Sequence, residues 1–173
     1  MTKPIRATDA DISAGVFQLD RLPTEQLFPA MQTICNELFG VRLFSVLLWS
    51  PERQEILRVY SSNHDLYPLG IWKPMGRTPW GDKLLKGGEP VKCHDEAELR
   101  WAFPDADLLV SMDCIANLSA PVLADGQVLG VVSISERSGG YRDDDLALFH
   151  RLAQALRPAM EAERARHADA FSL

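Results

Sequence analysis

Two β-rich runs, residues 115–123 and 127–135, stand on either side of Ala124-Asp125-Gly126, a tight connection that folds them back on each other as a hairpin. Side chains along a strand alternate between faces, so this one hairpin defines two surfaces. Leu118, Ala120, Val132 and Ile134 share one face, while Asn117, Ser119, Ser133 and Ser135 share the other. The apolar face must be covered by other elements of the chain. The polar face is either solvated or lines a site. Buried polar groups without partners cost roughly 1–3 kcal/mol each, so on the second reading water or a ligand meets them.

Cover for the apolar face comes from both ends of the chain. Across residues 24–39, Leu27, Met31, Ile34, Cys35, Leu38 and Phe39 recur at helical spacing, and Gly40 stops the run. Residues 142–166 begin with Asp143, Asp144 and Asp145 and carry a stripe of Leu146, Phe149, Leu152, Ala153, Leu156 and Met160. Pro158 predicts a kink there, and the polar remainder is expected to fray or project. A first hairpin, 43–49 with 55–60, turns at Ser50-Pro51-Glu52-Arg53. The order helix, hairpin, irregular middle, hairpin, helix predicts an α+β fold: an antiparallel sheet with the N- and C-terminal helices on one face. A length of 173 residues suits one core. The expected division is an N-terminal extension over 1–22 with room for a short helix, a domain over 23–160, and a polar C-terminal tail over 161–173.

Between the hairpins, residues 61–112 lose periodicity and gather Pro, Gly and aromatic residues. A short helix over 79–86, a strand around Val91, and helical turns across 95–101 and 105–111 are the regular pieces expected. Trp72, Trp80 and Trp101 lie here, and a packed aromatic buries about 150–250 Å². Such loops must fold over something, and the second sheet face is the available surface. Tyr67, Trp80, Trp101 and Phe103 either pack this lid or touch a ligand under it. Lys73 is either a surface lysine or a cation opposite an anion, and Arg77 and Arg100 face the same choice.

A net charge of −6 and a pI near 5.2 oppose binding to phosphate backbones, so nucleic acid is not an expected partner. The apolar runs are too short for a membrane span, and the polar start over residues 1–11 does not read as a signal peptide, which places the expected protein in the cytoplasm. Cys35, Cys93 and Cys114 form an odd set without CxxC spacing. His94 adjoins Cys93, but neighbours on a strand face opposite ways. His64, His150 and His167 show no metal-ligand spacing. No metal, haem or other cofactor is expected.

The string from Cys114 through Ile115-Ala116-Asn117-Leu118-Ser119-Ala120-Pro121-Val122, followed by Asp125-Gly126-Gln127-Val128-Leu129-Gly130-Val131-Val132-Ser133-Ile134, resembles the closing strands of GAF domains. Val59-Tyr60-Ser61-Ser62, Tyr67-Pro68, Gly70, Lys73-Pro74-Met75, Thr78-Pro79-Trp80, and Arg100-Trp101-Ala102-Phe103 with Asp105 are similar to short stand-alone bacterial GAF proteins. The likeness runs from residue 43 to residue 160. It implies a small-molecule pocket between the sheet and the irregular middle, and a sensory or regulatory role. The ligand-facing set it implies is Tyr67, Lys73, Trp80, Trp101, Phe103, Asp105, Cys114, Asn117, Ser119, Ser133 and Ser135. It also implies a homodimer through the terminal helices, with output to a protein partner. Two alternatives stand beside it. One is a thiol enzyme similar to the free methionine-(R)-sulfoxide reductases, with Cys93 and Cys114 as redox candidates; that family's acidic pattern would put Glu at Asn117 and Asp at Ser133 and Ser135. The other is an interaction module acting through its helices.

Overall fold

The computed structural model describes residues 6–172. Its sheet is built from β1 (Leu43–Ser50), β2 (Glu55–Ser61), β3 (Trp72–Lys73), β4 (Val91–Cys93), β5 (Ala116–Ala124) and β6 (Gln127–Glu136), in the order β3-β2-β1-β6-β5-β4 with every pairing antiparallel. The two hairpins therefore lie side by side through β1 and β6. The fold is α+β, as the element order predicts.

One face is covered by α1 (Asp9–Asp20), α2 (Leu27–Leu38), α6 (Asp145–Ala153) and α7 (Arg157–Arg166). Leu118, Ala120, Val132 and Ile134 point into this layer and are fully buried with Met31, Phe149 and Leu152. Gly130 on β6 marks the closest approach. A Cβ there would collide with the Leu47 carbonyl oxygen and lie 2.7 Å from Met160 Cε on α7.

Three features sharpen the sequence reading, and the last of them corrects it. The N-terminal extension contains a twelve-residue helix, α1, started by a reciprocal cap in which Asp11 N–H donates to Thr8 Oγ1 and Thr8 N–H to Asp11 Oδ2. Ile12 and Leu19 of α1 are 1% exposed, so this segment belongs to the core. The long C-terminal helix breaks at a 3-10 turn, Gln154–Leu156, because Pro158 cannot donate a hydrogen bond and its ring excludes the carbonyl four residues earlier, that of Gln154. The tail folds back instead of projecting. After α7, a turn of helix α8 (Ala168–Phe171) packs Phe171 edge-on against Trp72 at 5.2 Å, with the Arg164 guanidinium 3.8 Å from the same ring. Residues 1–5 and 173 of these terminal segments lie outside the described residues.

The other face is roofed by α3 (Pro79–Gly81) running into a π turn (Asp82–Lys86), by α4 (Glu96–Ala102), α5 (Asp107–Ser111) and the loops between them. These elements are short because Gly and Pro interrupt every run, so packing rather than helix propensity holds them. Trp80, Leu84, Leu99 and Ala102 are 1% exposed or less and form a second core with Leu47 and Val131 of the sheet.

Candidate functional site

Rows of side chains cross the sheet beneath this roof, because residues paired across neighbouring strands share a face. Ser119, Ser133, Ser45 and Ser61 form one row through β5, β6, β1 and β2. Cys93, Asn117, Ser135 and Leu43 form the next. On the other side of the serines lies a row of Pro121, Val131, Leu47 and Arg58. The last row depends on a bulge. Val46 sits opposite Tyr60 and Leu47 opposite Arg58, so Val59 is an extra residue in β2. Val59 and Tyr60 then both pack on the helical side, which leaves Arg58 and Ser61 on the roofed side.

The polar floor is a closed network on three sides. Asn117, 2% exposed, donates through Nδ2 to Ser133 Oγ at 2.9 Å and to Ser135 Oγ at 3.0 Å. Its Oδ1 accepts from Ser119 Oγ at 2.7 Å, and the Ser119 and Ser133 hydroxyls lie 3.3 Å apart. These groups satisfy one another, so the floor does not need a ligand to remain buried, contrary to the expectation from sequence. Asn117 spends both amide protons on serine oxygens, so Ser135 keeps its own hydroxyl proton to donate.

A cavity of about 50 Å³ lies between floor and roof. From the sheet it is lined by Leu43, Ser45, Leu47, Ile56, Arg58, Asn117, Val131, Ser133 and Ser135, and from the roof by Tyr67, Lys73, Met75, Trp80, Phe103 and Leu109. Of the residues singled out in the sequence, Tyr67, Lys73, Trp80, Phe103, Asn117, Ser133 and Ser135 meet here. Ser119 lies beneath the lining and braces Asn117. Asp105 stands behind Lys73, its carboxylate 3.1 Å from Nζ. Cys114 is buried without reaching the cavity. Trp101 is 49% exposed and borders a separate surface groove with Lys83, Lys92 and Leu146. Arg77 is exposed, and Arg100 pairs on the surface with Glu96 and Asp107.

Sequence reasoning missed Arg58. Only 5% exposed, it carries its guanidinium 4.9 Å from the Tyr67 ring centroid, and Nη1 makes one long contact, 3.5 Å, with the Pro68 carbonyl. Nε is buried with no hydrogen-bond partner, and Arg58 forms no ion pair among the described residues. Burial pushes its pKa down, while the nearby Tyr67 and Asp105 push it up. An arginine nevertheless stays charged in any protein setting. The indole Nε1 of Trp80, another lining residue, is also buried without a partner. A signal for Arg58 exists in the sequence: it follows Ile56 by two positions, so alternation puts it on the same face of the strand.

The thiols are poorly placed for nucleophilic or redox chemistry. Cys93 is 1% exposed, and burial followed by the charges of Glu98 and Asp95 pushes its pKa up to about 12. Cys114 is fully buried and its pKa is also raised, chiefly by desolvation. Little thiolate exists at either sulfur near neutral pH. Among the described residues no cluster of three or more His, Cys, Asp or Glu side chains could hold a metal ion, and no helix is long and apolar enough to cross a membrane.

Comparison with solved structures places the fold among known ones. The GAF domain of a phosphoenolpyruvate-protein phosphotransferase from Coxiella burnetii superposes with a TM-score of 0.72 at 19% identity, over 92% of this chain and 95% of that one. The free methionine-R-sulfoxide reductase of Neisseria meningitidis, solved with its substrate, gives 0.65 at 20% identity, over 96% and 99%. The phycocyanobilin-bound GAF domain of a cyanobacterial phytochrome gives 0.63 at 14% identity, over 94% and 99%. At such identities the likeness carries the fold alone. A search of curated protein sequences gives no match. A family model described as the GAF domain matches residues 22–161, most of the chain, and the protein therefore belongs to the GAF domain family.

Proposed function

We propose that this chain is a sensory or regulatory binding domain that takes a small molecule, with one polar or anionic end and an apolar body, into the cavity between sheet and roof. The observation that carries this reading is the chemistry of the lining. Buried donors from Arg58 and Trp80 lack partners in the protein, while Leu43, Leu47, Ile56, Met75, Leu109 and Val131 supply apolar walls. Tyr67, Lys73, Trp80, Phe103, Asn117, Ser133 and Ser135 make the contacts in this reading; Ser119 and Asp105 hold Asn117 and Lys73 in place. An open-chain tetrapyrrole, such as the bilin of the phytochrome domain, far exceeds about 50 Å³.

Output follows from the sheet being shared. The strands that present Asn117, Ser133 and Ser135 on one face present Leu118, Ala120, Val132 and Ile134 to the helices on the other. A ligand that shifts β5 or β6 therefore acts on the packing of α1, α2, α6 and α7, which in this reading meet a second copy of the chain or a protein partner in the cytoplasm.

A thermal-shift screen of small metabolites tests the proposal. A ligand at about 100 times its Kd adds roughly 2.7 kcal/mol, which for a domain of this size raises the melting temperature by about 5–10 °C. Saturable stabilisation by at least one class of small molecule is expected. No stabilisation by any class counts against a binding function.

A further inference from the structure

Among the donors in the cavity lining, the Arg58 guanidinium, the Trp80 indole N–H and the Ser135 hydroxyl have protons left over. The group they await must accept hydrogen bonds, and its charge follows from a count. Arg58 and Lys73 contribute two positive charges, and Asp105, paired with Lys73 at 3.1 Å, contributes one negative. The site is left with a net charge of plus one, and Arg58, 5% exposed, has no ion-pair partner among the described residues, since Asp105 is already paired to Lys73. A monoanion neutralises it; a dianion would bring a buried negative charge with no counterpart. The planar, forked guanidinium matches a carboxylate, which accepts two parallel hydrogen bonds. The volume sets the body: at roughly 10–15 Å³ for each water-sized centre, a cavity of about 50 Å³ holds about four such groups.

From these features we infer that the ligand is a short monocarboxylic acid of two or three carbons, its carboxylate held by Arg58 with help from the Trp80 N–H, and its hydrocarbon end lying on Leu47, Ile56 and Val131. This deepens the binding reading above and rests on it. It also explains why an arginine is kept in a buried strand position where, without an anion, its charge has no partner. Arg58 is tied to the chain that closes the site, since its N–H donates to the Ile71 carbonyl at 3.2 Å and its carbonyl accepts from Gly70 N–H at 2.9 Å.

The test is calorimetric titration of the full chain with acetate, propionate, propionamide and inorganic phosphate, repeated on Arg58→Met, Arg58→Lys and Trp80→Phe. Acetate and propionate are expected to bind at one site, with propionamide and phosphate at least tenfold weaker. Hydrogen bonds to charged groups contribute enough that R58M, and W80F through its lost N–H to the carboxylate, should each weaken propionate by about 10- to 100-fold. R58K keeps the charge without the fork and should fall between wild type and R58M. R58M also loses the contact with Tyr67, so its ligand-free melting temperature is measured alongside to show that it folds. Propionamide binding as tightly as propionate, or R58K and R58M both retaining wild-type affinity, overturns the carboxylate anchor and leaves the pocket reading standing. Preference for phosphate overturns the charge count. Silence from both acids while some uncharged metabolite stabilises the protein sinks this inference alone; silence from every compound sinks both.

Discussion

The guanidinium of Arg58 stacks 4.9 Å from the centre of the Tyr67 ring, joining the sheet floor to the loop that closes over it. Asp105 acts on Arg58 only through space, whereas the Tyr67 ring is in contact with it, and a cation over an aromatic face contributes about 0.5–2 kcal/mol as it becomes desolvated. Replacing Tyr67 by Leu keeps an apolar body but removes the ring. The expected result is a loss of about 1–2 kcal/mol in stability, together with faster hydrogen exchange at Gly70 N–H and Arg58 N–H, whose bonds latch the loop to β2. Chemical denaturation and native-state exchange measure the two effects.

The Asn117 network predicts a larger penalty for a smaller change. Asn117→Ala removes the donor to Ser133 and Ser135 and the acceptor for Ser119 at once, in a position 2% exposed. A cost of about 2–4 kcal/mol is expected, the sum of orphaned buried groups and a small void. Urea denaturation should show a lower midpoint with an unchanged slope.

Packing at Gly130 predicts intolerance of even one methyl group. Gly130→Ala forces its Cβ against the Leu47 carbonyl and the Met160 side chain, and only the latter can move aside. Overpacking of this kind costs about 1–3 kcal/mol or more. Gly126 in the neighbouring turn has open space around its Cβ position, but its φ of 79° strains any other residue. Gly126→Ala should cost about 1 kcal/mol, from backbone strain alone. Comparing the two melting temperatures separates steric from conformational causes.

The tyrosines give a pH prediction with a definite sign. Tyr60, Tyr67 and Tyr141 all have pKa values raised above the ordinary value near 10, with burial as the leading cause in each. A phenol whose pKa is higher in the folded chain than in the unfolded chain favours folding while both states are protonated. That advantage is lost as pH rises from 10 toward the folded values. Absorbance at about 295 nm, which reports phenolate, should therefore show little ionisation in the native protein at pH 10. Ionisation should coincide with alkaline unfolding.

The faces of the second hairpin were legible in the sequence because a period of two leaves no freedom: Leu118, Ala120, Val132 and Ile134 face the helices, and Asn117, Ser119, Ser133 and Ser135 face the roof. The stripes of α2, α6 and the start of α7 were legible for the same kind of reason. Arg58 was legible only as a position two residues after Ile56; periodicity puts it under the roof but does not say that its guanidinium lacks a partner there, and the bulge at Val59 hides only that Ser61 joins that face. Nor does periodicity say which way a roof aromatic turns. Trp80 and Trp101 look alike as residues in a Pro- and Gly-rich segment, yet α3 buries the first, while α4 turns the second out to solvent. Helix α1 was obscured by its polar composition, with Asp9, Asp11, Ser13, Gln18 and Asp20 outside a narrow stripe of Ile12, Gly15 and Leu19.

The central claim, that a small acid occupies the cavity between floor and roof, is tested most directly by a methyl-resolved NMR titration with propionate. Signals from Leu43, Leu47, Ile56, Met75, Leu109 and Val131 should move together along one saturable curve, while Leu118, Val132 and Ile134 on the opposite sheet face move less. Shifts confined to Leu146 at the Trp101 groove, or no saturable shift at any cavity methyl, would contradict it.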